Sequence, residues 1–303
     1  MILGVPESAD WPSLPREADS PSYAHRVPDL LDDACAALGV TVSRPLQDGG
    51  QKRVYVVSDP NNEESVLKLI DLNAAGDPAA LERARREVSL LRSIDHPNVV
   101  KVTSDLTQVG DPVQAVAWLE ELLDGADLRH SLGTPWNADQ LFDLGVALAS
   151  GLGALHDQDV IHRDLSSGNV RCLTNGDFKV MDPGFAKHTL RSGITVGGQP
   201  GTPGFMTPEH IQAYSGAPTP ASDVFACAAL VYLAATGAIA VPYKGDDAEY
   251  MRRLRTATHV PLKDLRNDLP QPLIDVVERA LHAQPARRYR NGNALEAALR
   301  NAR

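Results

Sequence analysis

Val160-Ile161-His162-Arg163-Asp164-Leu165-Ser166-Ser167-Gly168-Asn169 is the stretch on which the reading of this chain turns. It sets a carboxylate, Asp164, five positions before an amide, Asn169, with His162 and Arg163 alongside. Thirteen residues past Asn169 a second carboxylate follows in Val180-Met181-Asp182-Pro183-Gly184-Phe185. A His-Arg-Asp triplet alone is ordinarily a solvated turn, so its surroundings decide whether it is more. Upstream, Val54-Tyr55-Val56-Val57 and Val66-Leu67-Lys68-Leu69-Ile70 are β-rich runs, separated by the turn formers Asp59-Pro60-Asn61-Asn62. Strands are also expected over residues 99–102 and 116–123. Asp77-Pro78 suits a helix start, Leu81, Ala84, Val88 and Leu91 form its apolar stripe, and His96-Pro97-Asn98 ends it. Downstream the period changes to helical. Leu141, Leu144, Leu148, Leu152 and Leu155 mark one long helix, and further helices are expected from Val224, over 273–281 and over 295–299. Strands first and helices afterwards imply an α+β architecture.

The 303 residues are 43% hydrophobic, enough for a sizeable core in one domain or two lobes. Lys and Arg number 29 against 39 Asp and Glu, a net charge of −10, which makes nucleic acid or an anionic membrane a poor principal partner. Three widely spaced cysteines, Cys35, Cys172 and Cys227, suggest neither a disulfide framework nor a zinc site. The Pro-rich, acidic first residues lack the order of a signal peptide, so a cytoplasmic location is expected. Residues 224–243 carry no charge, but their Ala content, Thr236, Gly237 and Pro242 read as a buried core helix rather than a membrane span, with Asp223 at the N-cap. Residues 1–44 read as an extended arm plus a short helix marked by Leu30, Leu31, Ala34 and Leu38, ahead of lobes over 45–123 and 124–303.

The quoted stretch resembles the catalytic loop of the protein-kinase family, H-R-D-L-x-x-x-N, and the Asp182 segment resembles its D-F-G with Pro183 in place of Phe. The resemblance extends over residues 45–302 in the family's order. Lys68 resembles the strand lysine on the α and β phosphates, and Glu87 the helix glutamate that pairs with it. Ile94-Asp95-His96-Pro97-Asn98-Val99-Val100 is close to H-P-N-I-V. Residues 201–209 resemble the segment ending in A-P-E, Ser222-Asp223-Val224-Phe225 the start of the central helix, and Pro285-Ala286-Arg287-Arg288 the P-x-x-R motif.

The resemblance implies a two-lobed protein-kinase fold of the bacterial eukaryotic-like Ser/Thr branch, with ATP and Mg2+ or Mn2+ in the cleft. Asp164 would be the catalytic base, with Lys68 and Glu87 beside it as catalytic residues. Asn169 and Asp182 would be metal ligands, and Gly49, Val54, Lys68, Glu121 and Leu123 would line the ATP site. Glu209 and Arg288 would form a structural pair, with Asp223 a third structural residue. Thr189, Ser192 and Thr195 would be activation-loop phosphorylation candidates, since Arg163 could pair with an added phosphate. The types suit the chemistry: phosphoryl transfer is mostly positioning and charge neutralisation, and hard oxygen donors suit magnesium.

Three departures, in the phosphate loop, at Ser166 and at Arg171, bear on nucleotide grip and rate. Anchored on Val54, the phosphate loop has only Gly49 of the family's three glycines, with Lys52 at the third. Ser166 stands where Ser/Thr kinases place a lysine, and Gly168 where tyrosine kinases place an arginine. Thr202 resembles the Ser/Thr branch. Arg171 occupies a normally apolar place under the adenine, where it could stack on the base or turn outward. The expected function is therefore ATP-dependent phosphorylation of Ser/Thr in proteins, itself included. The alternative is a nucleotide-binding pseudokinase that regulates or scaffolds. Protein substrates are the expected partners, and the oligomeric state is not legible.

Overall fold

The structure is a computed structural model, and it describes residues 27–47, 52–72, 80–183, 195–196, 199–200, 204–211 and 218–303. The small lobe is built on a five-stranded antiparallel sheet in the order β1-β2-β3-β5-β4. Its strands are β1 (Thr41–Gln47), β2 (Lys52–Ser58), β3 (Glu64–Asp71), β4 (Thr107–Val109) and β5 (Ala115–Glu121). The turn between β2 and β3 is set by Asp59, whose Oδ1 accepts from the backbone N–H of Asn61 and of Glu63, each at 2.8 Å.

Strand side chains alternate between faces, and here both faces are buried. The outer one, with Tyr55, Val57, Leu67, Leu69, Ala115 and Ala117, packs against Leu30, Ala34 and Cys35 of helix α1 (Val27–Leu38). The inner one carries Ile70, Val116 and Trp118, which join Ala84, Val88 and Leu91 of helix α2 (Ala80–Arg92). Sequence reading placed a boundary between residues 44 and 45. In the structure that point falls inside β1, and α1 forms part of the small-lobe core. Burying one face of a five-stranded sheet requires a cover, and α1 supplies it.

The large lobe is helical. It comprises α3 (Ala138–His156), α4 (Pro220–Thr236), α5 (Asp247–Arg255), α6 (Leu262–Leu265), α7 (Gln271–Ala280) and α8 (Gly292–Ala302). A three-stranded sheet, β6 (Gly125–Asp127), β7 (Val170–Leu173) and β8 (Phe178–Val180), lies beneath the cleft. Two short strands, β9 (Thr195–Val196) and β10 (Gln199–Pro200), pair further on.

Helix α3 begins with a capping box: Asn137 Oδ1 accepts from Gln140 N–H and Gln140 Oε1 from Asn137 N–H, both at 3.0 Å. Helix α4 is the core of the lobe, with every residue from 221 to 235 buried, and it stops at Gly237, whose φ is +70°. Among the described residues no helix is long and apolar enough to cross a membrane.

Two expectations are corrected here. Residues 99–102 form no strand; Val99 and Val102 make isolated bridges, to Val180 and Glu120. Asp223 is not the N-cap of α4. That place belongs to Thr219, and Asp223 lies within the first turns of the helix.

Close packing of α8 on α3 depends on Gly292. A Cβ there would lie 2.2 Å from Gly153 N and 2.4 Å from Ala149 O, both backbone atoms. Gly292→Ala is expected to push the helices apart and destabilise the domain by about 1–3 kcal/mol. Thermal or urea unfolding reads this, and an unchanged midpoint would contradict the packing.

Candidate active site

The register of the small-lobe sheet assembles the roof of the cleft. Lys68 on β3 lies opposite Val54 on β2 and Trp118 on β5, so all three share a face. Lys52 lies opposite Ile70 and Glu120 opposite Val66, two positions along on the same face. Diagonal neighbours of this kind sit about 7–8 Å apart, within reach of long side chains.

The reach is used. Lys68 Nζ lies 2.5 Å from Glu120 Oε2 and 2.5 Å from Asp182 Oδ1. Lys52 Nζ donates to the same Asp182 oxygen at 2.6 Å. Trp118 Nε1 donates to Glu120 Oε1 at 2.9 Å.

Burial would lower the Lys68 pKa, but Asp182 and Glu120 outweigh it and hold the ammonium above its ordinary value. Burial would likewise raise the pKa of Asp182, and the ammoniums of Lys52 and Lys68 reverse that, keeping the carboxyl far below its usual range. The carboxylates on Lys68 are therefore Glu120 and Asp182, not Glu87. Glu87, on α2, instead lines a separate pocket with Arg86, Leu90, Asp159, Val160, Ile161 and Arg163.

The floor is held from below. Asp223 Oδ2 accepts from His162 N–H at 2.7 Å and Oδ1 from Arg163 N–H at 2.9 Å, while His156 Nε2 bonds Oδ2 at 2.9 Å. His162 is fully buried. Its Nδ1 accepts from Asp164 N–H at 3.3 Å, so its Nε2 carries the proton and donates to Met181 O at 2.9 Å. One side chain thus ties the Asp164 segment to the Asp182 segment. Asn169 Nδ2 donates to Asp164 O at 2.8 Å and approaches Asp164 Oδ2 at 3.4 Å. Arg163 and Asp182 both hold left-handed backbone, with φ of +65° and +53°. Such strain in non-glycine residues persists only where surroundings enforce it, and it clusters at functional sites.

These elements enclose a cleft of about 470 Å³, lined among others by Val54, Lys68, Glu121, Leu123, Asn169 and Asp182. Four of the five expected ATP-site residues line it; Gly49 lies outside the described residues. Glu121 faces partly away, accepting from Lys101 N–H at 2.8 Å and pairing with Lys179 at 2.5 Å. Arg171 neither lies free under the cleft nor turns outward. Its Nη1 donates to Asp127 Oδ1 at 3.0 Å and its Nη2 to Leu123 O at 3.3 Å. Ser166 is buried. Pro183, in place of the family's Phe, is also buried and shares a small pocket with Leu91 and Trp118.

Asp182 and Asn169 bring a carboxylate and an amide to one wall of the cleft. Two hard protein donors suit magnesium or manganese, which complete their shells with water and phosphate oxygens. Among the described residues there is no cluster of three or more His, Cys, Asp or Glu side chains able to cage a metal.

Away from the cleft, Arg288 and Glu209 form a bidentate pair at 2.8 and 3.0 Å, with both side chains at most 1% exposed. Thr189 and Ser192 lie outside the described residues, and of Thr195 only the backbone is described, in β9.

Sequence reading missed Glu120 and Asp127 as site residues. The usable signal for Glu120 was a charge on the otherwise apolar inward face of β5, which carries Val116 and Trp118.

The match to known proteins agrees with this geometry. The family model for the protein kinase domain matches residues 41–299. The serine/threonine-protein kinase PrkC of Bacillus subtilis is 26% identical over 266 residues, covering 86% of this chain and 40% of that protein. PknK of Mycobacterium tuberculosis is 31% identical over 248 residues, covering 79% of this chain and 21% of that protein. The chain thus spans well under half the length of both relatives. The crystal structure of the M. tuberculosis PknI kinase domain superposes with a TM-score of 0.66 at 21% identity, covering 88% of this chain and 96% of that one, a likeness of fold. The chain belongs to the protein kinase domain family, in the company of bacterial serine/threonine-protein kinases.

Proposed function

We propose that this domain binds ATP with magnesium or manganese in the cleft and transfers the γ-phosphate to Ser or Thr hydroxyls of proteins, itself included, in the cytoplasm. The observation that carries the reading is the meeting of two lysines on Asp182, above a wall holding Asn169 and the Asp164 loop. Phosphoryl transfer needs charge neutralisation and alignment, and this arrangement supplies both. Asp164 accepts the proton of the acceptor hydroxyl. Lys68 and Lys52 hold phosphate oxygens. Asp182 and Asn169 hold the metal, which offsets charge on the phosphates when bound. Thr189, Ser192 and Thr195 are proposed as phosphate acceptors on the segment between Asp182 and Glu209, with Arg163 as the cation that pairs with them. Incorporation of labelled phosphate from ATP into the purified chain or a generic protein substrate tests the reading. ATP binding without incorporation would sink it.

A second reading, nucleotide binding without transfer, draws on the absent lysine at Ser166 and on Arg171, which holds the Leu123 carbonyl at the cleft wall. It predicts thermal stabilisation by ATP with no turnover.

Lys52 stands where the family has a glycine, and its ammonium takes on work that backbone amides do elsewhere. Lys52→Ala is expected to weaken ATP binding roughly tenfold, the scale of one charge-assisted hydrogen bond, and to leave adenosine unaffected. Titration calorimetry with both ligands checks this, and an equal loss for both would rule out phosphate contact.

A further inference from the structure

The geometry points to Glu120 as the positioning residue of Lys68, in the place the family gives to a glutamate on the helix. The inference rests on the nucleotide-binding reading above. Lys68 and Glu120 have side chains only 6% and 5% exposed, and their charged atoms are 2.5 Å apart. The second Glu120 oxygen is occupied by Trp118 Nε1, so the carboxylate cannot swing away without breaking another bond. Asp182, the other anion on Lys68, is 28% exposed and shared with Lys52. Glu120 is therefore the partner dedicated to this lysine.

Lys68 and Glu120 also belong to adjacent strands, β3 and β5, whose register puts them diagonally opposite on one face. The pair is consequently fixed by backbone hydrogen bonds of the sheet. A helix glutamate can move away with its helix; a strand glutamate cannot. The aim of Lys68 is set without α2, and displacement of α2 leaves the phosphate clamp assembled.

The test is a double-mutant cycle read as affinity for ATP and for adenosine, with kcat and KM followed alongside. Glu120→Gln is expected to weaken ATP about tenfold or more while adenosine stays within about twofold, because only the phosphate-directed charge is disturbed. Glu120→Asp recovers most of the ATP affinity. In a Lys68→Met background, Glu120→Gln costs less than about twofold, since the group it positions is gone.

A loss of equal size in both backgrounds, or a parallel loss of adenosine, overturns the inference. So does a phosphate-dependent loss from Glu87→Gln that Glu120→Gln does not share. If Glu120→Gln does not fold, the neutral pair Lys68→Met/Glu120→Gln replaces it and is compared with Lys68→Met. A pair that fails to fold while Lys68→Met folds also overturns it, because Glu120 then supports the sheet and not the lysine. Wild-type protein that binds ATP no better than adenosine removes the nucleotide reading itself, and this inference with it.

Discussion

Asp164→Asn is expected to lower phosphate incorporation by about 10²–10⁴-fold while ATP affinity stays close to wild type, the range assigned to a positioned general base. The substitution replaces a carboxylate by an amide of the same shape. The loop that carries it is held from outside, by Asp223 on the backbone of His162 and Arg163 and by His162 on Met181. None of those bonds involves the Asp164 carboxylate, so the loop should keep its shape. Asn169 Nδ2 retains the Asp164 carbonyl at 2.8 Å, which keeps the metal-facing residue in place. Labelled-ATP incorporation gives the rate, and calorimetry gives the affinity. Retained incorporation would deny Asp164 the role of base. Loss of ATP binding together with activity would show instead that the substitution had disturbed the cleft.

Arg288→Met is expected to destabilise the domain by about 3–5 kcal/mol, the cost of leaving one partner of a buried ion pair uncompensated. Glu209 would keep only the bond from Ser222 Oγ at 2.8 Å to one of its two oxygens. The guanidinium also donates to three carbonyls: Ala221 O at 2.9 Å, His282 O at 2.6 Å and Ala283 O at 2.8 Å. Burial works to lower the Arg288 pKa, and the pair with Glu209 opposes it. The double variant Glu209→Gln/Arg288→Met should recover part of the loss, because no charge is then stranded. Full recovery is not expected, since each buried carbonyl left without a donor costs about 1–3 kcal/mol. Unfolding midpoints in urea at matched slope measure all three proteins. A loss below about 1 kcal/mol for the single variant would mean that water reaches and compensates Glu209.

The two predictions differ in how legible their grounds were. Asp164 stands out because its neighbours are contiguous in sequence and fall in one loop. Arg288 and Glu209 are 79 residues apart and were brought together only by a resemblance; the geometry shows that three carbonyls also depend on the arginine. Local pattern located α3 by an apolar stripe at helical spacing, and β2, β3 and α4 as continuous β-rich or uncharged runs, because both faces of the sheet and every residue of α4 from 221 to 235 are buried. It failed over residues 99–102, where Val100 N–H bonds Val180 O and Val180 N–H bonds Asn98 O. Val99, Val100 and Val102 are buried there with only single bridges to β8 and β5, and a buried run with isolated bridges looks the same in sequence as a strand. Asp223 was misplaced for a related reason. An acid near a helix start suits a cap, but this one turns inward to hold two backbone amides of another loop.

By itself the sequence determined the α+β order, the buried character of α4 and the residue types that meet phosphate and metal, because these follow from short-range pattern and contiguous motif. Only the tertiary structure decided which carboxylate holds Lys68. Glu87 and Glu120 are both charged residues on elements that border the cleft. The antiparallel register of β3 and β5 brings Glu120 to the lysine, while α2 carries Glu87 into a different pocket. Strand register is a long-range property, and a shift of one residue would have sent Glu120 to the opposite face.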